Sequence, residues 1–160
     1  MSTLVSKTKK TSSKIIFLSE GTKQTKSLGV ELGRDLKNTY FKNAVVITIS
    51  GDLGAGKTTF IKGLARGLGI KKKITSPTFV IMKMYRFLKN KRSLYHIDAY
   101  RIENKRDAGV LKKEAHILDC NSNIIVIEWP EKIKYLIPKK NISIQIKHGK
   151  KETERTIEIV

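Results

Sequence analysis

The glycine, lysine and threonine residues within 51–58 have the spacing of a loop that binds phosphate. The segment reads Gly-Asp-Leu-Gly-Ala-Gly-Lys-Thr, which is a glycine, four free positions and then Gly-Lys-Thr. Backbone N–H groups in such a loop point at one spot and bind an anion, and the glycines let the chain approach it closely. By the usual mechanics, Lys57 contacts the β and γ phosphates of a nucleotide and the Thr58 hydroxyl completes a magnesium shell. The sequence therefore predicts a polyphosphate site.

A carboxylate farther along the chain is placed to complete this site. Glu128 follows the apolar run 124–127, which is typical of a strand buried on both faces. Ligands of an open α/β sheet gather at the carboxyl ends of its strands. If this strand lies beside the one that feeds the loop, Glu128 faces the magnesium held by Thr58, directly or through water. Asp is the usual residue here, so the longer Glu is a departure.

A second carboxylate, Asp98, lies in the segment 94–101, which reads Leu-Tyr-His-Ile-Asp-Ala-Tyr-Arg. Strand alternation places His96, Asp98 and Tyr100 on one face. Polar side chains in that number are not what a core strand requires, so Asp98 is a candidate to orient or deprotonate an attacking water, or to join the metal shell. His96 either supports it by hydrogen bonding or is a partly buried structural histidine.

Three further side chains are weaker candidates. Thr78 follows a proline in a loop that could reach the γ phosphate, as the ordered threonines of nucleotide-sensing switch loops do. Trp129 is interpreted as a core aromatic, with a cover over the site as the alternative. Glu131 is interpreted as an acid in the first turn of a helix and not as a catalytic group.

The elements that must position these residues follow from apolar periodicity. In the first half of the chain we predict a strand at 14–18, a helix capped by Ser19 or Thr22, a strand at 44–49 and a helix after the loop. The first helix is expected to present one apolar face, and the second to end at Gly67 and Gly69 because glycine permits left-handed geometry. The residues of that apolar face are Leu28, Leu32, Leu36 and Tyr40.

In the second half we predict strands at 79–87 and 94–100 as an antiparallel pair joined by a turn at 89–91. A helix at 110–118, a strand at 123–129, a short helix at 130–136 and strands at 142–146 and 156–159 complete the chain. Together these elements predict an α/β fold with three layers, like that of phosphate-loop NTPases, around a mixed and partly parallel central sheet. Residues 14–160 form a single domain in this interpretation, and residues 1–13, rich in Ser, Thr and Lys, are predicted to be a disordered basic tail.

The charge balance is extreme, with 33 Lys and Arg against 14 Asp and Glu and a formal net charge of +19. Such a field favours polyanions such as tRNA, nucleotides or an acidic protein. The basic residues are spread along the whole chain, so a merely solvated lysine surface is the alternative, and direct contact with tRNA stays open. The single cysteine, Cys120, excludes an internal disulfide, and no apolar run approaches the ~20 residues of a membrane helix, so we expect a cytoplasmic protein.

Four short motifs in series are more specific than the loop alone. They are residues 51–59, Ser-Pro-Thr-Phe at 76–79, His-Ile-Asp-Ala-Tyr-Arg at 96–101 and Glu-Trp-Pro-Glu at 128–131, and the match extends to 25–29 in the first helix. In this order and spacing they resemble the bacterial TsaE (YjeE) family, small ATPases needed to make threonylcarbamoyladenosine next to the anticodon of tRNAs. The resemblance covers nearly all of the chain after the tail.

The resemblance implies ATP and Mg²⁺ as cofactors, with Thr58 and Glu128 on the metal and Asp98 important for hydrolysis. Lys57, Asp98 and Glu128 are thus the catalytic candidates. It further implies that Thr25 lies near the nucleotide and that a basic residue of the terminal hairpin touches it, for which Arg155 is our choice. The residues implied to bind ATP are therefore Thr25, Gly54, Ala55, Gly56, Lys57, Thr58, Thr59 and Arg155.

Proteins of this family do not transfer the threonylcarbamoyl group themselves, and the resemblance implies action on the complex of the TsaD and TsaB proteins. A phosphate loop without an arginine finger in a motif should hydrolyse slowly alone and be completed by a partner. Two alternatives remain open at this point. One is a small phosphate-loop kinase, and the other is a basic nucleic-acid-binding module with vestigial ATP binding.

Overall fold

The computed structural model describes residues 8–11, 14–89 and 91–160, with the backbone alone described at 8–11 and 110. Its strands are β1 (Thr8–Thr11), β2 (Lys14–Ser19), β3 (Val45–Ser50), β4 (Met82–Phe87), β5 (Arg92–Asp98), β6 (Asn123–Glu128), β7 (Ile142–His148) and β8 (Arg155–Ile159). The helices are α1 (Thr22–Asn38), α2 (Lys57–Leu68) and α3 (Gly109–Lys113), with 3₁₀ segments at Ala115–Asp119 and Pro130–Leu136. None of the helices in these ranges is both long enough and apolar enough to cross a membrane.

One sheet joins all the described strands, in the order β1-β2-β8-β7-β3-β6-β5-β4. Its centre is parallel, because β3 pairs in parallel with β6 and β7, and β6 pairs in parallel with β5. The β4–β5, β7–β8, β2–β8 and β1–β2 pairs are antiparallel. The predicted mixed, partly parallel sheet is therefore confirmed. The parallel register brings Ile49, Asp98 and Glu128 level with one another at the carboxyl edge of the sheet.

Apolar side chains on the two faces of the sheet form two cores, which makes the fold three-layered. On one face, Ile47 and Ile49 of β3 pack with the buried side of α2, including Phe60 and Leu64. On the other face a second cluster lies under α3 and the 3₁₀ segments. Every residue of β6 is buried, as its unbroken apolar run predicts. The second cluster includes Val46, Ile97, Leu111, Ile125, Ile127 and Ile133.

Helices α1 and α2 approach so closely that glycines are required at their crossing. A Cβ atom built on Gly29 or Gly33 would lie 2.3 or 2.2 Å from a carbonyl oxygen of α2. A Cβ atom built on Gly63 or Gly67 would likewise lie 2.1 or 2.2 Å from a carbonyl oxygen of α1. Real Cβ contacts are never this short, so the helices meet backbone to backbone. Gly67 therefore packs inside α2, and only Gly69, at a φ of +87°, ends that helix as predicted.

The first helix differs from the prediction at both ends. Its N-terminal residue is preceded by Gly21, and neither Ser19 nor Thr22 caps it. The Ser19 hydroxyl instead donates to the Gly21 carbonyl at 2.8 Å and lies 2.8 Å from the Thr25 hydroxyl, so it is engaged in the turn before the helix. At the other end, Tyr40 lies beyond the helix and is 81% exposed, whereas Leu36 is buried.

Four other segments differ from their predicted form. Strand β5 spans Arg92–Asp98 and not 94–100, so Tyr100 follows the strand and does not share its face with His96 and Asp98. Strand β4 begins at Met82 and not at residue 79, because Val80 donates a turn hydrogen bond to Pro77 and Phe79 is exposed. The helix predicted at 110–118 is divided into α3 and a 3₁₀ segment. Within the predicted disordered tail, Thr8–Thr11 pairs with the free edge of β2, which supplies unpaired backbone groups. The rest of that tail and residue 90 of the predicted turn lie outside the described residues.

Candidate functional site

The loop between β3 and α2 has a backbone shape that glycine makes possible. Gly51 has a φ of +142°, and a Cβ there would lie 2.2 Å from the Ile146 carbonyl oxygen. Gly56, at a φ of +103°, forms the N-cap of α2, and the Phe60 N–H donates back to its carbonyl at 2.9 Å. The loop therefore turns sharply and directs the N-terminus of α2 toward a cleft.

Lys57 is folded into this loop. Its side chain is buried, and its amino group donates to the carbonyls of Gly51 at 2.6 Å and Asp52 at 2.8 Å. The same nitrogen lies 3.9 Å from the centre of the Trp129 ring. Burial lowers the pKa of Lys57, and the surrounding carboxylates, Glu128 foremost, act in the opposite direction. The amino group thus points into the anion-binding loop. Its hydrogen-bond acceptors there are carbonyl oxygens, and phosphate oxygens can replace them.

Glu128 lies at the centre of the carboxyl edge, beside the loop. Its Oε1 is 2.7 Å from Nε2 of His96, and its Oε2 accepts from the Thr58 hydroxyl at 3.3 Å. Both His96 and Glu128 are almost fully buried. The arrangement presents a carboxylate oxygen and a hydroxyl oxygen side by side, and hard oxygen ligands of this kind are the ones that Mg²⁺ prefers.

The residues present fit a magnesium ion that is shared with phosphate. No group of three or more His, Cys, Asp or Glu residues with metal-binding geometry occurs within 8–11, 14–89 and 91–160. Mg²⁺ is commonly held by one or two protein side chains together with substrate phosphates and waters, so a larger cluster is not required. Thr58 and Glu128 are the side chains that would hold the ion.

Asp98 is also buried at this edge, but its carboxylate is already occupied. Its Oδ2 accepts from the Thr78 hydroxyl at 2.6 Å and the Ser76 hydroxyl at 2.9 Å, and its Oδ1 accepts from the Tyr100 N–H at 3.0 Å. Asp98 therefore anchors the 76–78 loop at the mouth of the cleft. Ser76 was missed as an individual site residue, although its position in the Ser-Pro-Thr sequence beside Thr78 was the available signal.

Trp129 both packs on the second core and covers the cleft, so neither sequence interpretation is sufficient alone. Its backbone is left-handed, with φ and ψ of 58° and 51°, a conformation uncommon for a large side chain. Its ring lies 5.1 Å from that of Tyr100 and over the amino group of Lys57. Glu131 is exposed in the first turn of the following 3₁₀ segment, as predicted.

The cleft has a volume of about 360 Å³ and contains most of the predicted site residues. A second cleft of about 370 Å³ shares the loop residues Gly54, Gly56 and Thr59 with it. Thr25 and Arg155 line this second cleft. The first cleft is lined by Leu53, Gly54, Gly56, Lys57, Thr58, Thr59, Ser76, Thr78, Asp98, Tyr100, Glu128 and Trp129.

Arg155 and Thr25 are brought to the loop by different elements. Arg155 begins β8, and its Nε donates to the Ala55 carbonyl at 2.9 Å while its Nη2 donates to the Gly54 carbonyl at 3.3 Å. Thr25, in the first turn of α1, is buried, and its methyl carbon lies 3.8 Å from where a Cβ of Gly56 would stand. The structure thus gathers all the predicted site residues around one loop; their binding of a nucleotide stays a prediction.

A phosphate loop between a central parallel strand and a helix, with an acidic residue at the end of the neighbouring strand, defines a protein of the phosphate-loop NTPase class. The family model described as threonylcarbamoyl adenosine biosynthesis protein TsaE matches residues 19–157. The chain therefore belongs to the TsaE family, as its motifs predict.

Individual relatives agree with this assignment. The tRNA threonylcarbamoyladenosine biosynthesis protein TsaE of Bacillus subtilis is 39% identical over 126 residues, which is 78% of this chain and 76% of that protein. The protein of the same name from Treponema pallidum is 33% identical over 81% of this chain and 89% of its own length. The crystal structure of Bacillus subtilis YdiB superposes with a TM-score of 0.70 at 27% identity, covering 94% of this chain and 87% of that one.

Proposed function

We propose that this protein is a cytoplasmic, Mg-ATP-binding and slowly hydrolysing accessory protein of tRNA threonylcarbamoyladenosine synthesis that acts on the complex of TsaB and TsaD. The single observation that carries the proposal is the Glu128 carboxylate, which lies between His96 and the Thr58 hydroxyl beside the phosphate loop. Membership of the TsaE family supports the pathway. When bound, the ion supplies positive charge to the β and γ phosphates.

The loop residues have separable roles in this proposal. Backbone N–H groups of the loop and of the first turn of α2 bind phosphate oxygens, and Lys57 exchanges its carbonyl partners for them. Thr58 and Glu128 hold the magnesium ion. Thr25 and Arg155 line the second cleft, where the remainder of the nucleotide would lie. Trp129 shields the Lys57 amino group from water.

Slow hydrolysis by the isolated chain follows from the state of Asp98. A carboxylate that accepts three hydrogen bonds is poorly disposed to accept a proton from water as well. Among the described residues lining the first cleft, Lys57 is the one basic side chain, so no arginine or second lysine there adds to the charge that stabilises the transferring phosphate. A partner that moved the 76–78 loop would release Asp98, which is why we expect stimulation.

ATP hydrolysis by the purified chain, alone and with TsaB and TsaD, tests the proposal. We expect low activity alone, strong stimulation by the partners, and loss of both in Lys57→Ala. The Glu128→Ala variant should retain nucleotide binding without magnesium but lose the gain in affinity that magnesium provides. ATP binding without stimulation, together with phosphate transfer to one of a panel of small acceptors, would favour the kinase alternative instead.

A further inference from the structure

A strongly basic groove lies outside the clefts around the phosphate loop. It has a volume of about 690 Å³ and is formed by the solvent side of α1 and α2 and by the segment 69–74 that follows α2. Every charged side chain that lines it is basic. We call this the basic groove; its lining residues are Lys26, Lys62, Arg66, Gly69, Ile70, Lys71, Lys72, Lys73 and Ile74.

The cations of the basic groove are not neutralised within the described part of the chain. The ion pairs recorded there join Lys14 to Glu158, Lys151 to Glu154, and two histidines to glutamates, so none includes a groove residue. Most of these cations are also well exposed, Lys71, Lys72 and Lys73 among them. A concave surface with one sign of charge concentrates its field and raises the local concentration of anions.

The cations of the basic groove are clustered on neighbouring parts of the chain. Lys62 and Arg66 are four residues apart on α2 and therefore share one face of that helix. Lys71, Lys72 and Lys73 are consecutive in the segment that follows α2 and line the same groove. Positive charge from a helix and from the segment after it thus meets in one groove, which a uniformly lysine-rich surface does not require.

The chemistry of the lining favours RNA phosphate over a protein partner. Interfaces between proteins have an apolar centre with aromatic residues, whereas the two large apolar side chains here, Ile70 and Ile74, are 9% and 5% exposed and belong to the core. Among the residues that the structure describes, no aromatic side chain lines the groove, so these residues offer no platform on which single-stranded bases stack. Interfaces with nucleic acids are much more positively charged and derive affinity from phosphates.

We propose that the basic groove binds the phosphate backbone of RNA, through charge and without reading base sequence. The inference goes beyond the proposed ATPase function and does not depend on it, because the groove shares no lining residue with either cleft at the phosphate loop. Binding should therefore persist without nucleotide and in Lys57→Ala. The relevant RNA chemistry is that of a folded tRNA, whose stems present phosphates in helical array.

Binding of unmodified tRNA transcripts to the full chain, followed by fluorescence anisotropy over a series of salt concentrations, tests this inference. The triple variant K71Q/K72Q/K73Q removes charge from the segment after α2, and the double variant K62Q/R66Q removes charge from α2 itself. The matched control is K113Q/K139Q/K140Q, which removes the same charge as the first triple from exposed positions outside the groove. Circular dichroism and thermal unfolding verify that each variant is folded.

We expect both groove variants to bind tRNA more weakly and the control to bind like the wild type. Each lost phosphate contact should reduce the slope of log affinity against log salt by about 0.9, hence by about 3 for the groove triple variant. Two tRNAs of different sequence should bind with similar affinity. Equal weakening in the groove and control triples would overturn the inference, since a diffuse field of +19 would then suffice.

Two further outcomes would also overturn it. Competition by polyglutamate as effective as that by tRNA, at equal charge concentration, would identify the groove as a site for acidic protein. A strong preference for one tRNA sequence over another would require base contacts that this lining does not offer.

Discussion

His96 and Glu128 form a buried pair whose importance is not evident from either residue alone. Sequence alternation places His96 and Asp98 on one face, but the prediction that His96 supports Asp98 is wrong, because the fully buried histidine forms its hydrogen bond with Glu128. In the parallel register of β5 and β6, Asp98 lies level with Glu128, and His96 lies level with Val126, two residues earlier. His96 Nε2 then lies 2.7 Å from Glu128 Oε1 and orients the carboxylate toward Thr58. We regard His96 as a positioning residue.

Replacing His96 should therefore affect both stability and metal affinity. His96→Ala removes the shortest hydrogen bond of the buried Glu128 carboxylate and leaves it only the longer contact with Thr58; an unsatisfied buried polar group costs about 1–3 kcal/mol. We expect that loss in urea unfolding, and weaker Mn²⁺ binding to the nucleotide-loaded protein by electron paramagnetic resonance. His96→Gln, whose amide can still donate to Glu128, should recover part of both. A His96→Ala protein that is less stable but binds Mn²⁺ like the wild type would show a purely structural role.

Asp98 shows where inference from sequence stops at the scale of residues. The residue type and its strand position predict a carboxylate at the phosphate site, and the structure places Asp98 buried at the carboxyl edge of the sheet, level with Glu128. Its hydrogen bonds to Ser76 and Thr78, however, depend on how a loop 20 to 22 residues earlier in the chain folds back. Pattern alone does not encode that closure, because loop conformation is set by tertiary contacts that periodicity does not report.

At the scale of elements, the crossing of α1 and α2 determines how α2 and the phosphate loop sit on the sheet. The apolar periodicity predicts both helices, but it does not distinguish a glycine that ends a helix from one that admits a neighbour. Gly67 was assigned the first role and has the second. The signal that was available is the recurrence of glycine four residues apart, at 29 and 33 and at 63 and 67.

Gly63→Ala tests how tightly this crossing is constrained. Its Cβ would lie 2.1 Å from the Lys26 carbonyl oxygen, so the helices must separate. We expect a loss of about 1–3 kcal/mol in the free energy of unfolding, larger than the helix propensity that alanine gains. Gly109→Ala is the matched control in α3, since nothing lies within 4 Å of its Cβ position. Two variants of equal stability in urea unfolding would mean that the crossing adjusts freely.

The ion pair between β2 and β8 makes a pH-dependent contribution to the stability of the fold. These strands lie toward the end of the sheet opposite to β4 and β5. Lys14 Nζ lies 3.0 Å from Glu158 Oε2, and the hydrogen bond from Lys14 lowers the pKa of Glu158. A lowered pKa in the folded state stabilises the fold above the ordinary glutamate pKa, and the contribution is lost as pH falls through the folded-state value. The pair is partly exposed, with side-chain accessibilities of 39% and 20%, so solvent screens it.

Glu158→Gln should accordingly lower the free energy of unfolding at about pH 7 by only about 0.2–1 kcal/mol. The difference from the wild type should decrease as pH falls through the lowered folded-state pKa of Glu158, vanish once the carboxylate is protonated in both states, and shrink in high salt. Urea unfolding at several pH values measures it. A difference that is the same at acid and neutral pH would assign the effect to packing and not to charge.

For the whole molecule, the fold class and the order of elements could be predicted because the central strands are continuous apolar runs and the loop motif fixes its neighbours. Strand β6 is the clearest case, since all its residues are buried and its central residues 124–127 are apolar without alternation. The ends of elements and the short segments outside the central strands were predicted less well. The start of β4, the division of the 110–118 helix and the strand Thr8–Thr11 all involve short segments whose conformation depends on neighbouring backbone.

The net charge of +19 should be visible in the stability of the whole molecule. Few of its cations are paired within the described residues, so repulsion among like charges opposes the compact state more than ion pairs support it. Raising sodium chloride from about 0.02 M to about 0.3 M shortens the Debye length to below about 10 Å and should raise the melting temperature. The control triple K113Q/K139Q/K140Q, with fewer charges, should respond less. A neutral osmolyte at the same osmolality separates screening from general solvent effects. If salt instead lowered the melting temperature, attractive pairs would outweigh repulsion, and the basic groove would no longer be expected to act as a concentrated anion-attracting field.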